Sequence, residues 1–217
     1  MSKKFLIAAL LMLTSLTASA QEKRTTQATL YRQFKPSVIT LTNGKTIHKQ
    51  FTNVFLKNSS LVYLQGDYTM EANMENIAAV QFDDRKYITI DNQLAYLVDS
   101  VGQNAVYRID IFDMEAYQAQ LRNNVNISNL SLSEMVNITT VDMNNEDDYK
   151  FPVFAHYYLY YEGAFIKAHE REVSRRLPKD KDIRRKYKTT IGLDTFTWND
   201  DASLVTLLKA ITPTTEQ

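Results

Sequence analysis

The chain has 217 residues, of which 44% are hydrophobic, 11% aromatic and 23% charged, with 25 basic and 25 acidic side chains. That composition supplies enough apolar material for a core and excludes wholesale disorder, and the balanced charge argues against nucleic acid as a partner. Cysteine is absent and the five glycines lie far apart, which excludes a disulfide scaffold, a thiol nucleophile, a thiolate zinc site and a phosphate-binding glycine loop.

The first 20 residues have the three parts of a secretory signal peptide. Two lysines precede an apolar run over residues 5–13, and the small residues Ala-Ser-Ala end at Ala20. The apolar run is too short for a membrane-spanning helix, which needs about 20 residues. We therefore predict cleavage between Ala20 and Gln21 and a soluble, extracytoplasmic product, either periplasmic or secreted. We expect neither a lipid anchor, which would need a cysteine, nor a later transmembrane segment.

Residues 21–36 are interpreted as an N-terminal extension, and residues 37–122 as an antiparallel β-rich unit. Asn43 and Gly44 separate two strand patterns and predict a two-residue hairpin turn. Further turns are expected over residues 58–60, at Gly66 and over residues 101–104. Five or more closely spaced strands favour a small barrel or a curled sheet.

A helix is expected to close this unit over residues 113–124. Met114, Tyr117 and Leu121 follow Asp113 at helical spacing, and aspartate is a common helix cap. Residues 123–149 are rich in asparagine and are interpreted as a connection. An acidic run over residues 142–148 resembles the start of a calcium loop but lacks the required glycine and glutamate, so a solvated loop is favoured.

Residues 150–217 are interpreted as a C-terminal α/β unit that begins with an aromatic hairpin turning at Glu162 and Gly163. Two short helices are expected to follow. The first begins after Pro178 and ends at Gly192, and the second follows the caps Asn199 and Asp200. The second helix has apolar residues at helical spacing: Leu204, Leu207, Leu208 and Ile211. The predicted fold class is therefore α+β.

Histidine is the first candidate for catalysis or metal binding. If the hairpin pairs tightly about its turn, His156 and His169 lie opposite each other, close enough to share a metal ion. No third ligand is identifiable, so the interpretation as ordinary surface or half-buried residues is favoured. We predict no metal and no cofactor.

The aromatic strand and the basic segment after it suggest a binding surface. Alternation places Tyr158 and Tyr160 on one face of the strand and Tyr157, Leu159 and Tyr161 on the other. Exposed tyrosines suit sugars or a protein partner. Residues 167–188 hold ten basic side chains against four acidic ones, which favours an anionic partner or a solvated helical face. The candidate binding residues are Tyr158, Tyr160, Arg175, Arg176, Arg184 and Arg185.

No local signature of nucleophilic catalysis is present, since no serine lies between glycines and no Ser-x-x-Lys motif occurs. The favoured function is therefore a non-catalytic interaction module of the cell envelope, which contacts an envelope protein or an anionic envelope component. The alternative is a carbohydrate-binding or small-ligand-binding protein. A hydrolase with an unrecognised site is the third candidate.

Residues 41–47, 53–63 and 76–82, which follow the expected cleavage point, give the chain a resemblance to small exported proteins of Bacteroidota. Those proteins generally have no assigned activity, so the resemblance implies export and no site. Over residues 36–84 the strand pattern is also similar to SH3-like and Sm-like small barrels, without a counterpart of the Sm RNA-binding residues. The sequence Asp99-Ser100-Val101 resembles the O-glycosylation motif of such bacteria.

Overall fold

A computed structural model of the protein describes residue 25 and residues 27–123 and 151–213. The expected signal peptide with Ala20 and Gln21 lies outside these residues. So do most of the expected connection over residues 123–149 and its acidic run.

Ten antiparallel strands form one sheet. They are β1 (Lys35–Leu41), β2 (Thr46–Phe55), β3 (Ser60–Gln65), β4 (Tyr68–Glu71), β5 (Ile77–Gln81), β6 (Lys86–Ile90), β7 (Gln93–Val101), β8 (Asn104–Phe112), β9 (Val153–Tyr161) and β10 (Ala164–Lys167). Their order across the sheet is β10-β9-β8-β7-β6-β5-β1-β2-β3-β4. The prediction of an antiparallel, β-rich protein is confirmed, although a sheet of ten strands is larger than a small barrel.

Four α-helices lie within the described residues, together with a short 3-10 helix (Met74–Asn76). They are α1 (Met114–Asn123), α2 (Glu170–Arg176), α3 (Lys181–Ile191) and α4 (Asp201–Ile211). Asp113 and Asp200 cap α1 and α4 as predicted, since each carboxylate accepts a hydrogen bond from a backbone amide in the first turn. Three helices follow β10 where two were expected, because α2 has no counterpart in the prediction.

The predicted hairpin at Asn43 and Gly44 is present, but its loop differs from the predicted two-residue type. The amide of Gly44 donates to the carbonyl of Leu41 at 2.9 Å. Gly44 has a φ of 82°, whereas Asn43 does not have a positive φ. A two-residue type I′ turn needs positive φ at both central residues, so this loop is instead a tight turn followed by a left-handed glycine.

The sheet curls so that the turn between β2 and β3 contacts β7 and β8, which are not its neighbours in the strand order. The carbonyl of Ser59 accepts a hydrogen bond from the amide of Leu94 on β7, and that of Leu56 accepts one from Phe112 on β8, both at 2.7 Å. The curl encloses one apolar core, with the side chains Ile39, Val54, Leu61, Met74, Ile77, Val80, Phe82, Tyr87 and Leu94. Ala28 and Leu30 of the N-terminal extension hydrogen-bond beside β2.

A second core lies between the β8–β10 half of the sheet and the helices α2, α3 and α4. Its fully buried centre is formed by Leu159 on β9 and by Leu204, Leu207 and Leu208 on α4. Strand β9 pairs with β8 along its whole length, from Phe112 opposite Val153 to Ala105 opposite Tyr160. The aromatic hairpin therefore continues the sheet of the preceding strands. No helix of the described residues has the length and apolar character needed to cross a membrane.

Candidate functional site

The two faces of β9 have different surroundings, as the alternation of its side chains predicts. Tyr157, Leu159 and Tyr161 belong to the core beneath the helices. Tyr158 packs on the opposite, outer face, in a small apolar cluster with Ile90 and Ile109. The outer face of β9 is therefore the one available for binding.

A cleft of about 650 Å³ opens on this outer face, where β10 ends and α2 begins. We name it the β10 cleft. Its lining residues are Thr89, Ile90, Asp91, Tyr158, Ala164, Phe165, Ile166, Lys167, Glu172, Arg175 and Arg176. Three of the six residues predicted as a binding surface, Tyr158, Arg175 and Arg176, therefore converge on one cavity.

Tyr158 forms the floor of the cleft and is 9% exposed. Its hydroxyl donates a hydrogen bond to Oδ2 of Asp91 at 3.3 Å. Burial, the negative charge of Asp91 and this hydrogen bond together raise the pKa of Tyr158 above its usual value. The phenol therefore stays protonated at neutral pH and holds one oxygen of the Asp91 carboxylate.

Two cations of the cleft, Lys167 and Arg176, make no ion pair with any residue that the structure describes. Arg175 pairs with Glu172, one turn earlier on α2. Lys167 lies directly opposite Tyr158 in the β9–β10 pairing, so its side chain shares the outer face. With three cations and two carboxylates in its lining, the cleft carries one excess positive charge.

Aromatic rings form the neighbouring wall. Phe165 on β10 is 46% exposed and lies opposite Tyr160 in the strand pairing. Its ring centroid is 4.9 Å from that of Tyr160 and 5.8 Å from that of Tyr107. The ring of Phe165 is thus supported from two sides while part of it remains open to a ligand.

The other predicted basic residues do not line the cleft. Arg184 on α3 donates to the carbonyls of Leu177 and Pro178, at 3.0 and 2.9 Å. Arg185 forms an exposed ion pair with Asp182 at 2.9 Å. Tyr160 does not line the cleft either, although its ring packs on that of Phe165, which does. The sequence analysis counted Lys167 in the basic segment without selecting it, and it missed Asp91 and Phe165. The pairing register about Glu162 and Gly163 was the available signal for Lys167 and Phe165, which lie opposite Tyr158 and Tyr160.

The two histidines are not brought together. The β9–β10 pairing has the expected register but ends at Lys167. Beyond it, His169 caps α2, and its Nδ1 accepts a hydrogen bond from the amide of Arg171 at 3.3 Å. His156 instead packs against Phe154, with 5.0 Å between the ring centroids. Within the described residues, no group of three or more His, Asp or Glu side chains is placed to hold a metal ion.

A second polar cluster lies on the inner face and joins the sheet to α4. Tyr96, Arg108 and Tyr157 stand side by side on β7, β8 and β9. Arg108 Nε lies 2.6 Å from Oδ1 of Asp110, and the Tyr157 hydroxyl donates to Oδ1 of Asp201 on α4 at 2.7 Å. Burial alone would lower the pKa of Arg108, but the charge of Asp110 and their hydrogen bond outweigh it and raise that pKa. These groups satisfy one another, so the cluster stabilises the docking of α4.

The chain matches no protein-family model, no curated protein and no solved structure. Its function therefore has to be inferred from the residues and geometry described above.

Proposed function

We propose that this chain is an exported, non-catalytic binding protein of the cell envelope, and that its β10 cleft binds an anionic envelope component. The observation that carries the proposal is the convergence of Lys167, Arg175 and Arg176 on a single cavity floored by Tyr158. The predicted signal peptide supports the extracytoplasmic part of the proposal.

The chemistry of the cations supports an anionic ligand. A guanidinium offers a planar fork of donors that matches a carboxylate or phosphate group, and a lysine adds a compact positive charge. Arg176 and Lys167 have no ion-pair partner among the described residues, so neither has to leave an existing ion pair to bind a ligand. The volume of about 650 Å³ lies within the range of small-molecule sites, roughly 300–1,000 Å³.

The side chains of the cleft also favour binding over catalysis. Its lining contains no histidine, serine or cysteine. Of its two carboxylates, Glu172 pairs with Arg175, and Asp91 accepts a hydrogen bond from Tyr158 at one of its two oxygens. The hydroxyl of Thr89, also in the lining, has no hydrogen-bond partner within the described residues, whereas a nucleophilic hydroxyl needs an adjacent base within hydrogen-bond reach.

The test compares two charge reversals, Arg176→Glu in the cleft and Arg185→Glu on α3. Both arginines are exposed and helical, so the second variant is a matched control for charge. The full-length wild-type and variant proteins are titrated with a panel of anionic and neutral glycans and with anionic vesicles, at low and high salt. We expect an anionic member to bind, and Arg176→Glu to weaken that binding at least tenfold, as for loss of a charged hydrogen bond.

Salt should weaken the same interaction, because exposed charges are screened. Unchanged affinity in Arg176→Glu, or an equal loss in Arg185→Glu, would contradict the assignment of the cleft. Circular dichroism of both variants checks that each remains folded.

Contact with an envelope protein is a second candidate function, favoured by the aromatic outer face. Phe154 and Phe165 are 54% and 46% exposed there, and exposed aromatic side chains are typical of protein interfaces. Phe154 does not line the cleft. Phe154→Ser should therefore abolish capture of such a partner and leave anion binding intact; an unchanged yield of the partner would reject this candidate.

A further inference from the structure

We infer that the ligand of the β10 cleft is an acidic saccharide whose uronate carboxylate is bound by Arg176 and Lys167. The inference rests on the proposed anion-binding function and specifies the ligand class. It combines three features of the cleft: its single excess positive charge, an open carboxylate oxygen and an exposed aromatic ring.

The charge of the cleft suits a monoanion better than a dianion. Its three cations face two carboxylates, Asp91 and Glu172. A phosphate monoester carries nearly two negative charges at neutral pH and would be repelled by both carboxylates. A uronic acid carries one negative charge, which the single excess cation balances.

Asp91 supplies a hydrogen-bond acceptor suited to sugar hydroxyls. Tyr158 donates to its Oδ2, whereas its Oδ1 accepts no hydrogen bond from the residues that the structure describes. An ionised carboxylate only accepts hydrogen bonds, so a neighbouring ligand group has to be a donor. Sugar hydroxyls are such donors, whereas the oxygens of sulfate and of fully ionised phosphate are not.

Phe165 supplies a flat apolar surface beside these polar groups. Its ring is 46% exposed and is held in place by Tyr160 and Tyr107. The C–H face of a pyranose ring packs on such a surface through apolar contact. A saccharide thus accounts for the aromatic wall, which a small inorganic anion would leave unused.

The experiment is isothermal titration calorimetry on the full-length protein and its variants. The probes are the methyl glycosides of galacturonate, of glucuronate and of mannuronate, each with one carboxylate, their carboxyl-reduced neutral counterparts, glucose 6-phosphate, and phosphatidylglycerol vesicles. We expect at least one uronate to bind and its neutral counterpart to bind at least tenfold more weakly, as for loss of a charged hydrogen bond. Phe165→Ala should lower the uronate affinity about fivefold, within the range of a lost aromatic contact. Phe154→Ala, on the same face but outside the cleft, should not change it.

Asp91→Asn distinguishes a saccharide-binding site from a general anion-binding site, because the two predict opposite changes in affinity. The substitution removes a negative charge and so strengthens the binding of any anion held by charge alone. A uronate whose hydroxyl donates to Asp91 loses a charged acceptor and keeps the neutral amide oxygen of asparagine, so we expect its affinity to fall about fivefold, the difference between a charged and a neutral hydrogen bond.

Each outcome decides between the inference and the function on which it rests. If none of the uronates binds while glucose 6-phosphate or the vesicles do, the assignment of a uronate ligand is wrong and the anion-binding function stands. Tighter uronate binding by Asp91→Asn, or equal binding of a carboxyl-reduced neutral glycoside, also overturns the inference. If no anionic probe binds the wild-type protein, both proposals fail.

Discussion

The ion pair between Arg108 and Asp110 allows a quantitative test of how the sheet is stabilised. Their side chains are 23% and 11% exposed, with Nε and Oδ1 separated by 2.6 Å. Two unit charges about 4 Å apart attract each other by roughly 4 kcal/mol at an effective dielectric constant of about 20. Much of this attraction offsets the free energy needed to remove both groups from water.

Arg108→Met removes the guanidinium and leaves the Asp110 carboxylate buried without that partner. Breaking a buried pair in this way costs roughly 3–5 kcal/mol, and the partial exposure of Arg108 places the expected loss at about 3 kcal/mol. Asp110→Asn should cost less, because Arg108 keeps a second carboxylate, that of Asp201, at 3.4 Å. The double variant should be more stable than Arg108→Met, since it leaves no unpaired charge at position 110.

Equilibrium urea unfolding of the four proteins, followed by circular dichroism, gives the free energies for this double-mutant cycle. The reasoning is refuted if Arg108→Met loses less than about 1 kcal/mol, the net value of an ordinary hydrogen bond. Strictly additive losses in the double variant would refute it as well.

Three further predictions concern the stability of the fold. Leu207 is fully buried beneath the sheet, so Leu207→Ala should lower the free energy of unfolding in urea by about 3 kcal/mol. Leu193→Ala, at a side chain that is 51% exposed, should lower it by less than about 0.5 kcal/mol. Equal losses in the two variants would argue against this core. Burial raises the pKa of Tyr87, so above about pH 10 the unfolded chain loses a proton that the folded chain keeps. The free energy of unfolding should therefore fall as the pH rises. Urea midpoints that stay constant from pH 9 to about pH 11 would contradict this expectation. Gly163 has a φ of 80° in the β9–β10 turn, a conformation that is strained for a residue with a Cβ atom, so Gly163→Ala should lower the free energy of unfolding by about 1 kcal/mol. Thermal unfolding measures this loss, and the control Glu162→Asn should show none.

Features that depend on neighbouring residues could be predicted from the sequence. The apolar spacing of Leu204, Leu207 and Leu208 behind the cap Asp200 predicted α4 correctly. The turn at Glu162 and Gly163 predicted the register of the last hairpin, including Ala164 opposite Tyr161. Both depend on helix or turn geometry that a short segment determines by itself.

Helix α2 could not be predicted in this way because it has seven residues and buries mainly Val173. A single apolar position gives no periodicity. Its docking against the core beneath β9 and β10 is a tertiary effect. The residues between it and Asp180, the cap of α3, divide the basic segment into two helices, which is why Arg176 lines the cleft while Arg184 and Arg185 lie elsewhere.

The cleft itself depends on contacts between residues distant in sequence. Tyr158 and Asp91 are 67 positions apart, and they meet because β9 joins the sheet beside β8. Alternation along β9 correctly separated Tyr158 from Tyr157 and showed which side chains share a face. It gave no information about which strand or turn lies next to that face, because strand order is set by the packing of the whole sheet.

The central claim is that the β10 cleft is the binding site, and chemical-shift mapping tests it most directly. The isotope-labelled full-length protein is titrated with a uronate methyl glycoside that binds it, and its resonances are compared residue by residue. The account predicts that the largest changes occur at Tyr158, Phe165, Lys167 and Arg176, while signals of α3 around Arg185 stay in place. Changes centred on α3 or on strands β1–β5 would contradict it.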